Sequence, residues 1–369
     1  MTATSPIGLP ITEIDTPALL VDLELLDCNI ERIASVVIGE CNIGWRPHTK
    51  AMKTPALAHR LVARGALGVT CAKLGEAEVM AAAGIEDILV ANQVIGPAKT
   101  RRLAQLSRGA NVVVAVDSQI GVRQIGAAAT AAGTEVRVLV ELNIGMDRAG
   151  VTPGAEAVRL SRFVAETPGV RFSGLMGWEG HTLAIEPMEA KHQAITTAIS
   201  LLTESAERCR SDGLPVDIVS CGGTGSYLTT ARQSGVTEIQ AGGGVLGDAM
   251  YLERFGVNHD CALRIISTVT SRPTSDRVIC DAGRKTMSVE PTKPQVQGLK
   301  GLRVSGARFS AEHGVLTLDK PSEVPGIGDR LEFIAGYSDT TVFLHDTIYA
   351  TRAGVVEAVW PLLGRGKLA

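Results

Sequence analysis

The sequence predicts an α/β fold: a closed eight-stranded parallel barrel of the TIM type, followed by an antiparallel β domain. Between residues 43 and 244, eight short apolar runs alternate with segments of helical periodicity, which is typical of repeated strand–helix units. After about residue 260, alternating apolar and polar residues with frequent turn signals replace the helical segments. An open doubly wound sheet is disfavoured because the chain has no GxGxxG turn after its first strand and no P-loop.

The barrel strands are predicted from runs of four to eight residues bounded by glycine, proline, aspartate or asparagine. They lie at 43–48, 68–73, 87–92, 111–117, 136–143, 171–178, 217–223 and 238–244, with amphipathic helices between them, for example at 75–84 and 96–106. In the second domain, strands are predicted at 277–283, 302–309, 314–318, 330–336 and 340–350, and again in the tail from residue 354.

The positions of the predicted strands divide the chain into three segments. Residues 1–25 contain an early strand, 18–22, and are predicted to pack with the β domain or against the barrel floor. Residues 26–260 form the barrel, and residues 261–369 form the β domain.

Composition excludes several classes of protein. The 369 residues carry a formal net charge of −3, which provides no basic surface for nucleic acid. The seven cysteines include no CxxC pair, so reduced, intracellular thiols are expected. The first residues lack a signal-peptide pattern, and no apolar run approaches the roughly 18 residues of a membrane span. We therefore expect a cytoplasmic protein without a membrane or nucleic-acid partner.

Chemistry is expected at the carboxyl ends of the barrel strands, where enzymes of this fold place their active sites. The first strand ends in Arg46-Pro47-His48-Thr49-Lys50 and the sixth in Trp178-Glu179-Gly180-His181. Strands seven and eight end in glycine-rich loops, which let backbone N–H groups approach an anion. The loop residues are Gly222, Gly223, Thr224, Gly225 and Ser226 after strand seven, and Gly242, Gly243 and Gly244 after strand eight.

A lysine facing a phosphate site across a barrel mouth suggests pyridoxal phosphate held as a Schiff base. Lys50 is that lysine, and Lys53 is its competitor. The alternative role for the glycines is to form tight turns without binding phosphate. The alternative role for the lysine is that of a solvated surface charge. Glu179 either orients His181 or is a surface carboxylate, and we favour the surface position.

Six stretches of the sequence are shared with a known family. They are DTPALLVD (15–22), RPHTK (46–50), GEAEV (75–79), GMDRAG (145–150), GGTGS (222–226) and AEHG (311–314). The chain resembles the D-threonine aldolase and D-serine dehydratase family of fold-type III pyridoxal-phosphate enzymes, with an alanine-racemase-type barrel. The resemblance implies a homodimer that acts on D-configured β-hydroxy amino acids.

The resemblance assigns roles to individual positions. It implies that Lys50, preceded by His48, is the Schiff-base lysine and that Arg148 contacts the phenolic oxygen of the cofactor ring. The run Gly222–Ser226, including Thr224, and the pair Gly242 and Gly243 match the phosphate-binding loops. At Gly242–Gly244 the family usually has a Gly-Ser-Tyr-like element, whose tyrosine this chain lacks. Trp178 stands where a tyrosine beside the cofactor is more usual.

The family's metal site is the largest departure. Family members carry HxC or HxD near the C-terminus, where this chain has Tyr337-Ser338-Asp339. Neutral tyrosine is a poor ligand, whereas Asp339 retains a carboxylate suited to Mg²⁺ or Mn²⁺. His181 and His313 are candidates for the missing imidazole, and a hydrogen-bonded structural role is the alternative for each.

The resemblance favours retro-aldol cleavage to glycine and an aldehyde, with His181 or a metal-bound water as the base. Dehydratase-like elimination needs a strong Lewis acid and is the first alternative. A racemase with Lys50 and Tyr337 as its two acid–base groups is the second. A non-catalytic carrier of pyridoxal phosphate is the third.

Overall fold

A computed structural model describes residues 5–299 and 301–369. Strands are numbered in chain order: β1 Ala18–Asp22, β2 Gly44–Trp45, β3 Val69–Cys71, β4 Asp87–Val90, β5 Asn111–Val116, β6 Val136–Leu142, β7 Val170–Gly177, β8 Ile218–Cys221, β9 Glu238–Ile239, β10 Leu263–Thr274, β11 Arg277–Cys280, β12 Gln295–Gln297, β13 Val304–Phe309, β14 Gly314–Leu318, β15 Arg330–Ile334, β16 Thr347–Arg352 and β17 Val355–Pro361. The α-helices are α1 Leu23–Ala34, α2 Pro55–Ala63, α3 Leu74–Ala82, α4 Pro97–Leu106, α5 Gln119–Ala131, α6 Ala155–Ala165, α7 Met188–Ser211, α8 Tyr227–Thr230, α9 Ala249–Phe255 and α10 Ser338–Val342.

The described chain forms two compact units. The barrel unit contains residues 31–50, 54–243 and 366–369. The β unit contains the described residues up to 30, together with 51–53 and 244–365. None of the helices in the described part of the chain has the length and apolar character needed to cross a bilayer.

Strands β2 to β9 form the parallel sheet of the barrel unit. Their order is β2-β9-β8-β7-β6-β5-β4-β3, and every pair of neighbours is parallel. An additional parallel bridge links His48, after β2, to Thr70 in β3, and the Thr70 N–H donates to Pro47 O at 2.9 Å. This bridge brings the two edges of the sheet together. The predicted (β/α)₈ barrel is confirmed, with all eight strands inside or within one residue of the predicted runs.

Apolar strand residues fill the barrel unit. Residues 112–116 of β5 are each at most 2% exposed, as expected for parallel strands covered on both faces. Gly174 in β7 has φ +141°, and a Cβ there would lie 1.9 Å from Ile218 O of β8. Only glycine allows the two strands to approach this closely.

Arg46 does not belong to the mouth of the barrel, contrary to its placement among the strand-end residues. Its Nε lies 3.1 Å from Glu238, and its guanidinium also pairs with Asp87. Those two carboxylates begin β9 and β4, so Arg46 lies at the level of the amino ends of these strands. Because it is 3% exposed, it serves as a buried ion-pair centre.

The β unit contains a mixed, mainly antiparallel sheet. Its order is β13-β14-β11-β10-β1-β16-β17, and β15 pairs with both β10 and β12. Strand β1 pairs antiparallel with β10 and parallel with β16. One apolar cluster of this sheet joins residues from β1, β10 and β17: Ala18, Leu20, Ile266 and Val356, with Ile14. The predicted antiparallel β domain is confirmed.

One predicted strand of the β unit is wrong in its first half. The run 340–350 was expected to be extended, but Ser338–Val342 form α10 and β16 begins only at Thr347. The Ser338 N–H donates to Asp248, and the Thr341 hydroxyl accepts the Ser288 N–H at 3.2 Å. These tertiary partners stabilise a helical turn in a segment whose threonines and valine favour a strand.

Candidate active site

The segment after β2 carries Lys50. Its backbone continues the barrel register, because the His48 N–H donates to Gln240 O at 3.1 Å. The Thr49 side chain is fully buried, and its hydroxyl donates to Thr70 O at 3.1 Å. The Lys50 N–H lies 3.4 Å from His48 Nδ1, and the side chains of Lys50 and His48 are half-buried. The lysine is therefore held at the carboxyl end of a barrel strand.

Lys53, the competing lysine, has a different environment. It belongs to the β unit, is 7% exposed and has φ +56°. Its Nζ lies 5.9 Å from the centre of the Phe343 ring, within the range of a cation–π contact. This contact is consistent with a structural role for Lys53 inside the β unit.

The predicted phosphate loops are tightly packed against the other predicted site residues. A Cβ at Gly242 would lie 2.3 Å from His48 O, so the loop after β9 lies directly on the segment that precedes Lys50. A Cβ at Gly223 would lie 2.4 Å from the Trp178 ring, and one at Gly225 would lie 2.8 Å from Leu183. Glycine is thus required at Gly242, where the neighbour is backbone, and at Gly223, where it is a rigid indole ring, whereas the flexible end of the Leu183 side chain could move away from a Cβ at position 225.

Glu179 organises the loop after β8. The side chain is fully buried, so its expected surface position is wrong. Its carboxylate accepts the hydroxyls of Ser226 and Thr230, each at 2.7 Å, and the Gly222 N–H at 3.3 Å. Three donors from one loop and the short helix α8 converge on a single carboxylate, which fixes the path of the glycine-rich chain between them.

Arg148 lies beside a buried carboxylate. Glu141 in β6 is 4% exposed and accepts a hydrogen bond from the Gln93 amide. Arg148 Nη2 lies 3.9 Å from Glu141 Oε1, while the arginine side chain is 57% exposed. Burial raises the pKa of Glu141, an effect opposed by the Gln93 hydrogen bond and the Arg148 charge. Glu141 therefore anchors an arginine that remains accessible.

His181 lies next to the loop that carries Arg148. It is exposed, and its ring occupies the space beside Gly145, where a Cβ would lie 2.6 Å from the ring. Gly180 is likewise covered by Trp178 and Met146. The loops after β6 and β7 therefore meet at these residues, which brings His181 close to the GMDRAG segment.

Tyr337 and Asp339 lie in the β unit, next to a carboxylate that sequence analysis did not single out. Asp248 is 1% exposed and accepts the N–H groups of Tyr251 at 2.8 Å and Ser338 at 2.7 Å. The rings of Tyr251 and Tyr337 are 6.4 Å apart. Asp248 therefore caps α9 and also holds the segment that contains Tyr337 and Asp339.

The ionisation of Asp248 is expected to reduce stability as pH rises. Burial, aided by the Asp339 charge and opposed by its hydrogen bonds, raises the pKa of this carboxyl from 3.8 to about 6. Because the pKa of Asp248 is higher in the folded than in the unfolded protein, its ionisation makes no contribution to the free energy of unfolding below about pH 4. It becomes unfavourable between pH 4 and 6, by up to about 3 kcal/mol. Over this interval the slope of Tm against pH should be more negative in the wild type than in Asp248→Asn, and parallel curves would contradict the assignment.

Some of these residues had a signal in the sequence. Glu141 is the only charge in the last five residues of an apolar strand, seven positions before Arg148. Asp248 precedes a short helical run ending at Gly256, which is the pattern of a capped helix. The hydrogen-bond partners of Glu179 had no such signal, because Ser226 and Thr230 are 47 and 51 residues away.

The parallel barrel, the lysine after its first strand, the glycine-rich loops after its last two strands and the second β unit define the alanine racemase class of barrel proteins. Residues 21–250 match the alanine racemase N-terminal domain family, and residues 262–351 match the putative serine dehydratase domain family. The chain belongs to the D-threonine aldolase and D-serine dehydratase-like family of fold-type III pyridoxal-phosphate enzymes.

Several relatives match nearly the whole chain. A D-threonine aldolase from Arthrobacter sp. is 35% identical over 97% of this chain and 95% of its own. A 3-hydroxy-D-aspartate aldolase from Paracoccus denitrificans is 33% identical over 98% of this chain and 94% of its own. The crystal structure of D-threonine aldolase from Filomicrobium marinum superimposes with a TM-score of 0.94 at 35% identity, covering 100% of both chains.

A dehydratase is also related. The D-threo-3-hydroxyaspartate dehydratase from Delftia sp. HT23 has a TM-score of 0.85 at 28% identity, over 96% of this chain and 99% of its own. A variant of a D-threo-3-hydroxyaspartate dehydratase has been solved in a metal-free form.

Proposed function

We propose that this protein is a pyridoxal-phosphate-dependent lyase that cleaves D-configured β-hydroxy amino acids by a retro-aldol reaction, yielding glycine and an aldehyde. The observation that carries the proposal is the similarity to two aldolases along almost the entire chain, at 33–35% identity. The barrel geometry supports it, because Lys50, Arg148 and the glycine-rich loops all follow barrel strands. We assign the barrel to residues 26–260 and the β domain to 261–369, with residues 1–25 joining the latter.

The residues present fit pyridoxal phosphate. The loops after β8 and β9 keep close packing only because Gly223 and Gly242 have no Cβ, and backbone N–H groups with no Cβ in the way suit a phosphate group. The residues proposed to hold the cofactor are Lys50, His48, Arg148, Trp178, Gly223, Thr224, Gly225, Gly242, Gly243 and Gly244. When bound, the cofactor supplies an electron sink for the bond broken at Cα.

The chain's own residues hold the cofactor, position the loops around it and transfer protons. Lys50 supplies the amine that holds the cofactor and returns a proton to Cα after cleavage. His181, exposed at the loop after β7, accepts the proton of the substrate β-hydroxyl, so that the aldehyde carbonyl forms as the Cα–Cβ bond breaks. Glu141 and Glu179 act at a distance, by positioning Arg148 and the loop after β8 respectively.

The decisive experiment incubates the holoenzyme with D-threonine and with L-threonine and quantifies glycine, aldehyde and 2-oxo acid. Glycine and aldehyde in equal amounts, from the D-isomer only, are expected. His181→Asn should reduce the turnover number by about 10²-fold or more while the cofactor remains bound. A 2-oxo acid as the main product would show that the enzyme catalyses elimination and not retro-aldol cleavage.

Dehydratase-like elimination is the second candidate, favoured by the similarity to the hydroxyaspartate dehydratase. D-threo-3-hydroxyaspartate in the same assay distinguishes the two, because elimination releases ammonia and oxaloacetate, whereas retro-aldol cleavage releases glycine and glyoxylate and no ammonia. Exchange of the α-proton in D₂O without either product would instead identify a racemase. Normal cofactor binding without turnover or exchange would identify a carrier.

We also propose that the enzyme is a cytoplasmic homodimer. Sedimentation equilibrium of the holoenzyme is expected to give twice the chain mass of 38.7 kDa. A monomer at micromolar concentration would contradict the proposal.

A further inference from the structure

We propose that this chain works without a divalent ion at Tyr337 and Asp339, and that a single change, Tyr337→His, is enough to create an ion site there. The inference rests on the proposed lyase function, since it concerns the same reaction. A related dehydratase is known in a metal-free form, which implies an ion in that relative. In this chain the residues at the corresponding place do not fit one.

The donor set is too small. The pair that the family pattern implies is a histidine and a second donor two residues later, and this chain keeps only the second donor. His181 and His313, the candidates for the missing imidazole, belong to no three-donor cluster among residues 5–299 and 301–369. Asp339 is left as a single charged oxygen donor, and one carboxylate binds Mg²⁺ or Mn²⁺ weakly.

The nearby carboxylate is committed elsewhere. Asp248 is 1% exposed, and its two oxygens accept the N–H groups of Tyr251 and Ser338. Moving it to a metal would leave both of these N–H groups without their acceptor, at a cost of a lost hydrogen bond each. Asp248 thus supports the backbone of the 337–339 segment and does not serve as a ligand.

The residue at position 337 is also a poor ligand. Tyr337 itself presents a phenol, which is neutral near pH 7, and its ring lies against Tyr251. Asp248 therefore lacks the freedom, and Tyr337 the charge, that a ligand for a divalent ion requires.

The first test measures metal content separately from turnover. Holoenzyme treated with EDTA and desalted is analysed by elemental mass spectrometry and titrated with MnCl₂, with bound Mn²⁺ followed by electron paramagnetic resonance. The wild type should hold far less than one ion per chain, and its rate with D-threonine should change by less than about twofold with EDTA or Mn²⁺. One tightly bound ion per chain, or a rate lost in EDTA and restored by Mn²⁺, would overturn the proposal.

The second test uses Tyr337→His. This variant should bind one Mn²⁺ per chain, and the double variant with Asp339→Asn should lose it. Leu344→His, at an exposed position of the same segment, is the control for an added imidazole and should bind none. If Tyr337→His folds and binds no ion, tyrosine at position 337 is not the reason for the missing site. The wild-type measurement stands even if that variant is unstable.

Failure of the proposed lyase function has a different signature. A wild type that cleaves no D-amino acid but also binds no Mn²⁺ would refute the lyase and leave the ion inference intact. A wild type that cleaves D-threonine only with Mn²⁺ would refute the ion inference and leave the lyase intact.

Discussion

Lys50→Ala is expected to abolish the visible absorbance band of the protein-bound cofactor and to lower kcat/KM for D-threonine by about 10³-fold or more. The reason is that Lys50 lies in the segment after β2, beside His48 and close to the loop that contains Gly242. Absorbance spectra of the dialysed protein, before and after adding pyridoxal phosphate, measure the first effect. A product assay measures the second.

Lys53→Met is the matched control for this prediction. Lys53 lies over Phe343 in the β unit, so its replacement should lower Tm modestly through the lost cation–π contact. The absorbance band should persist. If the band survives in Lys50→Ala and disappears in Lys53→Met, then Lys53 holds the cofactor. The assignment of this role to Lys50, in the segment after β2, would be wrong.

Glu179→Gln is expected to lower the free energy of unfolding by about 2–3 kcal/mol and to weaken binding of pyridoxal phosphate by about 10- to 100-fold. The side chain is fully buried, and its two oxygens accept three donors from the loop after β8 and from α8. An amide has one accepting oxygen, and its NH₂ group would face the remaining donors. Thermal unfolding with and without cofactor, and a spectroscopic cofactor titration, measure the two effects.

The control here is Glu189→Gln, the same chemical change at an exposed position at the start of α7. It should leave both quantities unchanged within error, as expected for an isolated surface residue. A Glu179→Gln variant that loses stability but binds the cofactor normally would show that the carboxylate supports the fold alone. Rescue of cofactor affinity by Glu179→Asp is not expected, because the shorter side chain cannot reach all three donors.

Periodicity and local chemistry were sufficient to predict the architecture. Eight apolar runs separated by helical segments can bury their strands only in a parallel sheet covered by helices, and eight such units close into a barrel. The lysine after β2 and the glycines after β8 and β9 were also predictable, because the carboxyl ends of parallel strands share one face of the sheet. Local alternation failed at residues 340–346, where the end of α10 and a turn replace the first half of the expected strand.

Only the tertiary structure decided which polar residues act together. Glu179 meets Ser226 and Thr230, and Asp248 meets Ser338, through contacts between residues that are 47, 51 and 90 positions apart. The environments of Lys50 and Lys53 likewise differ although the residues are neighbours in sequence, since one follows a barrel strand and the other packs on Phe343. The sequence by itself determined the strands, the turns and the candidate chemistry, because these depend on spacing and residue type over a few residues. The pairing of buried carboxylates with their donors depends on how distant segments pack, and spacing along the chain carries no information about that.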